Sequence, residues 1–129
     1  QRIWLSDRQG TPCNEFNFDE PVFVNMDIIQ NGPAFQFIMM VEVIDQKKRK
    51  VFACESTSIN TTMRLELEPQ MLVRGKYSLH CFIDIYGLER LDDVDDVCNF
   101  TIVDKTSPMV KHGEYDYGNV FGRYTWHQQ

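Results

Sequence analysis

Tyr77-Ser78-Leu79-His80-Cys81-Phe82-Ile83-Asp84-Ile85-Tyr86 alternates at a period of two from end to end. Tyr77, Leu79, Cys81, Ile83 and Ile85 make one apolar face; Ser78, His80, Phe82, Asp84 and Tyr86 make a second that mixes rings with polar groups. Side chains point to opposite faces in succession along a strand, so this stretch reads as a β-strand with one face in a core. Just upstream, Leu72-Val73-Arg74-Gly75-Lys76-Tyr77 places a tyrosine at the head of that strand, two residues after a glycine. That placement suits a tyrosine corner, in which the phenol hydroxyl bonds back to the backbone.

Working outward, Phe35 to Ile44 carries Phe35, Phe37, Met39, Val41 and Val43 on one side and Ile38, Met40 and Ile44 on the other. A strand apolar on both faces is central and at least partly covered on both. It is the expected neighbour of the Tyr77 strand, presenting Ile38, Met40 and Glu42 beside His80, Phe82 and Asp84. Val22, Val24, Met26 and Ile28 alternate with Phe23, Asn25 and Asp27, and Met63, Leu65 and Leu67 alternate with Arg64 and Glu66. Arg2 to Leu5, Val51 to Cys54 and Asn99 to Val103 complete the set. Gln30-Asn31-Gly32-Pro33 and Ser6 to Gly10 are turn clusters, and acidic Leu88 to Asp96 reads as a loop. No amphipathic helical period stands out. About seven short strands at this spacing predict an all-β, immunoglobulin-like antiparallel β-sandwich.

Residues 1–106 form the expected sandwich core, and residues 107–129 an aromatic C-terminal tail. Three of the five tyrosines and one of the two tryptophans fall in that tail. Disordered termini are poor in aromatics, so the tail is expected to dock on its own sandwich, on a partner subunit or on a ligand.

A chain of 129 residues with 43% hydrophobic and 25% charged residues is one ordinary globular domain. No apolar run reaches the ~18 residues of a membrane span, and Gln1 to Trp4 lacks the regions of a signal peptide. A net charge of −6 opposes a nucleic-acid or anionic-membrane role, both of which need a basic footprint. The basic run Lys47-Lys48-Arg49-Lys50 reads as a solvated hairpin tip rather than an anion site. Cys13, Cys54, Cys81 and Cys98 lack zinc-type pairing; an inward Cys81 favours reduced thiols and a cytoplasmic setting over two disulfides. Asn60-Thr61-Thr62 and Asn99-Phe100-Thr101 match a glycosylation pattern short enough to recur by chance. Asp92, Asp93, Asp95 and Asp96 lack the glycine and distal glutamate of a calcium loop, and His80, His112 and His127 lack metal-ligand spacing.

The order Phe18-Asp19-Glu20-Pro21-Val22, a hydrophobic hairpin with a charged tip, Leu72-x-x-Gly75-x-Tyr77-x-Leu79, Phe100-x-Ile102 and a tail with Gly118-x-Val120 and Trp126 resembles a known family. It is similar to the carbohydrate-binding C-terminal domain of the Wzt-type ATP-binding subunit of bacterial O-antigen ABC transporters. The resemblance implies a cytoplasmic sandwich appended to an N-terminal nucleotide-binding domain and working beside a membrane transporter subunit. It implies recognition of a finished lipid-linked polysaccharide at its non-reducing end, with no cofactor and no nucleic acid. It also implies a homodimer in which C-terminal strands can be exchanged. The run Leu91-Asp92-Asp93-Val94-Asp95-Asp96 is more acidic than the family pattern, and no phosphate-binding glycine loop is present.

Sugar recognition needs flat rings for the C–H face of a pyranose and polar groups for its hydroxyls. His80, Phe82, Asp84 and Tyr86 offer both on one strand face, and Arg123, Tyr124 and Trp126 are the tail residues expected to close the site. The same face would equally serve as a seat for the docked tail. Two other readings stand beside this one: an extracellular immunoglobulin-like protein-interaction or adhesion domain, and a glycosidase using Glu42 with Asp84. No Ser or Cys nucleophile stands in a recognisable setting, and the chain is expected to bind rather than to catalyse.

Overall fold

The alternating stretches become strands that stack as two sheets. In the computed structural model, residues 2–28, 37–57, 61–85 and 89–128 are described. The strands are β1 (Arg2–Ser6), β2 (Glu15–Asn17), β3 (Val22–Asp27), β4 (Phe37–Asp45), β5 (Lys50–Ser56), β6 (Thr62–Leu67), β7 (Gly75–Ile85) and β8 (Glu89–Val103). One sheet has the order β1-β3-β6; the other has the order β2-β8-β7-β4-β5. All pairs are antiparallel except β2 with β8, so the chain is an all-β sandwich of the expected class. Among the described residues the helical content is one 3-10 turn, Val110–His112, and no helix is long and apolar enough to cross a membrane. Phe35, Tyr86, Leu88 and the Gln30–Pro33 turn lie outside the described residues.

The two inner faces supply the core. Val22, Val24 and Met26 of β3 meet Met39, Val41 and Val43 of β4, Leu79, Cys81 and Ile83 of β7, and Phe100 and Ile102 of β8. Val24, Val43 and Leu79 are wholly buried. Burying a side chain of this size is worth roughly 1.5–3 kcal/mol, so the shared interior of the sheets is the main source of stability. All four cysteines are free thiols, and burial, with the nearby Cys98, pushes the Cys81 thiol up to about 12.

Two features depart from the sequence reading. Glu15–Asn17 pairs with Thr101–Val103 as a parallel strand, seating Phe16 edge-on against Phe100 with ring centroids 6.3 Å apart. Three residues are too few to show a period. The acidic stretch expected as a loop is instead the first half of β8, and Glu89 to Val97 pairs with Ile85 to Leu79. Cys98, with φ +55, sits where the register shifts between this half and the core half at Phe100. A left-handed residue of this kind is the mark of a β-bulge. Among the described residues, β2 pairs only with residues 101–103, so Glu89 to Val97 has β7 as its one recorded strand partner.

Candidate functional site

Register decides which polar side chains meet on the outer face of the larger sheet. The two strands are neighbours, as expected, and the register sets Ile38 opposite Asp84, Met40 opposite Phe82 and Glu42 opposite His80. His80 Nδ1 and Glu42 Oε1 are 2.7 Å apart, and Lys50 Nζ reaches Glu42 Oε2 at 3.1 Å from the neighbouring strand β5. Glu42 is buried on the outer face of the sheet, flanked by the two basic side chains. Burial pushes its carboxyl up, but the hydrogen bonds from His80 and Lys50 outweigh burial and hold it below the ordinary range. The His80 and Phe82 rings are 5.2 Å apart, with Phe82 buried and Asp84 half-buried.

The same register removes the glycosidase pair. Glu42 and Asp84 are offset by four ladder positions, roughly 13 Å at ~3.3 Å per residue. A retaining mechanism needs about 5–5.5 Å and an inverting one about 6.5–9.5 Å.

Arg123, Tyr124 and Trp126 follow Phe121, the last backbone-paired residue of the tail among the described residues. Tyr124 is 75% exposed and Trp126 85%, so within one chain neither ring packs as a wall of the sheet face. His80, Phe82 and Asp84 therefore share a face; the tail rings face solvent, and Tyr86 lies outside the described residues.

A second constellation stands at one end of the sandwich, built from three segments distant in sequence. The tail returns along the β6–β7 connection: the Val73 amide donates to the Asn119 carbonyl at 2.8 Å, and the Phe121 amide to the Met71 carbonyl at 2.8 Å. Leu72 and Val120 form an antiparallel bridge between these bonds. Phe121 then packs on Phe18, with ring centroids 5.4 Å apart. Gly118, at φ +95, makes the turn that precedes this pairing, and its amide donates to Asp116 Oδ1 at 3.0 Å.

Arg74 clamps the turn from inside. Its guanidinium lies 5.1 Å from the Tyr117 ring centroid and donates to the Tyr117 hydroxyl at 3.1 Å, to the Tyr115 carbonyl at 3.2 Å and to the Gly113 carbonyl. The Tyr117 hydroxyl in turn donates to Asp104 Oδ2 at 3.2 Å, where Ser107 Oγ also donates. Asp45, buried at the end of β4, accepts from the Lys47 and Arg49 amides at 2.9 Å, from Arg49 Nε at 3.2 Å and from Asn119 Nδ2 at 3.0 Å. The Arg49 amide, followed by Asn119 and the Lys47 amide, overcomes the upward push of burial and holds the Asp45 carboxyl below its ordinary range.

Between the hairpin tip, residues 73–76 and tail residues 114–119 lies a cleft of about 550 Å³. The sequence reading missed it. Its available signal was Tyr115 and Tyr117 at a spacing of two before a glycine; nothing local linked them to Asp45 or Arg74. A smaller apolar groove of about 180 Å³ opens between β5 and β6, lined by Met26, Met39, Cys54, Met63 and Leu65 among others. Among the described residues, no group of three or more His, Cys, Asp or Glu side chains gathers to hold a metal ion.

The solved crystal structure of the C-terminal domain of Wzt superposes on 98% of this chain and 81% of its own length, with a TM-score of 0.75 and 9% sequence identity. The fold is that of the Wzt C-terminal domain. Neither a family model nor a curated protein matches the sequence.

Proposed function

We propose that this chain is a carbohydrate-binding module, the polysaccharide-recognition domain of a bacterial O-antigen ABC exporter. The observation that carries the reading is the superposition of nearly the whole chain on the Wzt C-terminal domain. The motif order from Phe18 to Trp126 points the same way. In this role the module receives a lipid-linked O-antigen at its non-reducing end and delivers it to the membrane transporter subunit. A nucleotide-binding domain precedes it in the full-length chain, and the setting is cytoplasmic at the inner membrane.

His80, Phe82, Asp84 and Tyr86 supply the sheet face, and Arg123, Tyr124 and Trp126 are offered to ligand from the tail. The exposure of Tyr124 and Trp126 supports that use, since large rings left in water are favourable to cover. The same exposure supports a homodimer in which the last tail residues cross to a second copy. The work is binding and not catalysis: the chemistry of the outer face is hydrogen bonding and ring stacking, with Glu42 committed to His80 and Lys50.

An NMR titration of the labelled chain with purified O-antigen polysaccharide and with its chain-end fragments tests the reading. Saturable shifts that vanish in Trp126→Ala, with the spectrum otherwise retained, are expected. Absence of shifts with every chain-end structure would overturn it. One observation favours a second reading, an immunoglobulin-like protein-interaction domain: the apolar groove between β5 and β6, where both strands end their sheets.

A further inference from the structure

The cleft at the end of the sandwich has a rigid floor and an unspent rim. In the floor, the Asp45 carboxylate accepts four hydrogen bonds and the Arg74 guanidinium makes three, so neither has much capacity left for a ligand. At the rim, the Lys47 and Lys76 ammonium groups, the Glu114 carboxylate and the Tyr115 hydroxyl make no hydrogen bond or ion pair among the described residues. The Tyr115 ring is 63% exposed and lies nearly parallel to the Tyr117 ring, at 17° with centroids 6.4 Å apart. Tyr117 is fixed by Arg74 and Asp104, so Tyr115 has a positioned ring behind it.

These groups together select a ligand class. An anion would gain from Lys47 and Lys76 but meet Glu114 and Asp116; a cation would meet the reverse. A neutral polyol uses donors and acceptors alike, and the C–H face of a pyranose suits an exposed tyrosine ring. The volume of about 550 Å³ falls within the roughly 300–1,000 Å³ of small-molecule sites. A preset floor also lowers the ordering cost of binding.

We propose that this cleft is a saccharide subsite, taking a short run of neutral sugar residues with Tyr115 as its stacking platform and Lys47, Lys76 and Glu114 as hydroxyl partners. The proposal rests on the carbohydrate-binding reading and locates a seat apart from the β7 face. One wall of the subsite is the tail itself, so the tail's fold-back along Met71–Val73 is what completes it.

The test is an amide-resolved NMR titration of the whole chain with neutral tri- to hexasaccharides from mannan, galactan and glucan, repeated with inorganic phosphate. Saturable shifts are expected at Gln46–Arg49 and Glu114–Asn119, with little response to phosphate. Tyr115→Ala should weaken binding about tenfold, the weight of one aromatic contact, and Lys76→Met by a smaller factor. Retained Val73 and Phe121 amide shifts in these variants would show that the tail is still paired. Saccharide shifts confined to residues 80–84 and 123–126, and unaffected by Tyr115→Ala, would overturn the cleft while leaving the module reading intact. A saturable phosphate response in the cleft that exceeds the saccharide response would overturn the neutral class. No saccharide shift anywhere would overturn the subsite and leave the module reading to its own titration with O-antigen chain ends.

Discussion

The Tyr77 hydroxyl donates to the Val73 carbonyl at 2.5 Å, closing the turn that leads into β7 from four residues back. Tyr77 is 4% exposed and its ring stacks on Phe100 at 5.6 Å. The same turn pairs with the tail through Val73 and Asn119, so this single hydroxyl braces both the strand and the site beside it.

Tyr77→Phe should therefore cost about 1–2 kcal/mol, because the ring packing survives while a buried carbonyl loses a donor. Urea unfolding is the measurement, with a lowered midpoint and unchanged slope expected. The wild type should also show a pH signature. Burial, aided by Asp45 and Tyr117, pushes the Tyr77 phenol from 10.0 up to about 12. Above pH 10 the unfolded chain releases this proton while the folded chain still holds it. Stability is thus present below pH 10 and falls as pH rises toward 12, by up to roughly 2–3 kcal/mol. In Tyr77→Phe that part of the alkaline decline should disappear.

Glu42, His80 and Lys50 couple three adjacent strands. The carboxyl of Glu42 sits below its ordinary range, so its contribution exists while it is ionised and is lost as pH falls through the lowered folded value. Glu42→Gln should flatten that acid limb. A double-mutant cycle between Glu42→Gln and His80→Ala should give a coupling of about 1 kcal/mol or more, since a buried charge keeps its value only with its partner. Additive effects would show the pair to be independent.

Gly118 turns the tail at φ +95, a conformation that glycine adopts without the clash a side chain brings. Gly118→Val should cost about 1–3 kcal/mol locally. Its reading is limited proteolysis: new cleavage within residues 107–121, with the sandwich fragment intact. Faster amide exchange at Val73 and Phe121 should accompany it, because their acceptors are the Asn119 and Met71 carbonyls. An unchanged digestion pattern would show that the turn tolerates the side chain.

These relationships differ in how far the sequence disclosed them. That Ile38, Met40 and Glu42 share a face with His80, Phe82 and Asp84 was legible from the alternation of two long strands, while the register that pairs Glu42 with His80 came only with the structure. The bond from Tyr77 to Val73 was legible because it is local. Phe16 was not: its strand is three residues long, and its partner lies far along the chain at Ile102. The acidic half of β8 was masked by charge, since Leu91-Asp92-Asp93-Val94-Asp95-Asp96 has the composition of a solvated loop although its backbone pairs with β7. The cleft was least legible. Asp45 meets Asn119 and Arg74 meets Tyr117 across long sequence separations, and no periodic signal records where a returning tail crosses a hairpin tip.

Among the described residues, Phe121 is the last of the tail with a backbone bond to the sandwich, and Gly122 to His127 lie mostly in solvent. The two parts of the tail should thus respond differently to truncation. Removing residues 107–129 strips Tyr117 and Phe121 from Arg74 and Phe18 and should give an aggregating or unfolded protein. Among the described residues, removing 123–129 deletes only exposed side chains, and it should leave the unfolding free energy from urea within about 0.5 kcal/mol of the full chain. If the tail rings join two copies, this shorter truncation should convert a dimer to a stable monomer in sedimentation, and Trp126→Ala alone should weaken the dimer. A dimer unchanged by either alteration would place the contact elsewhere on the sandwich and remove the tail from the assembly.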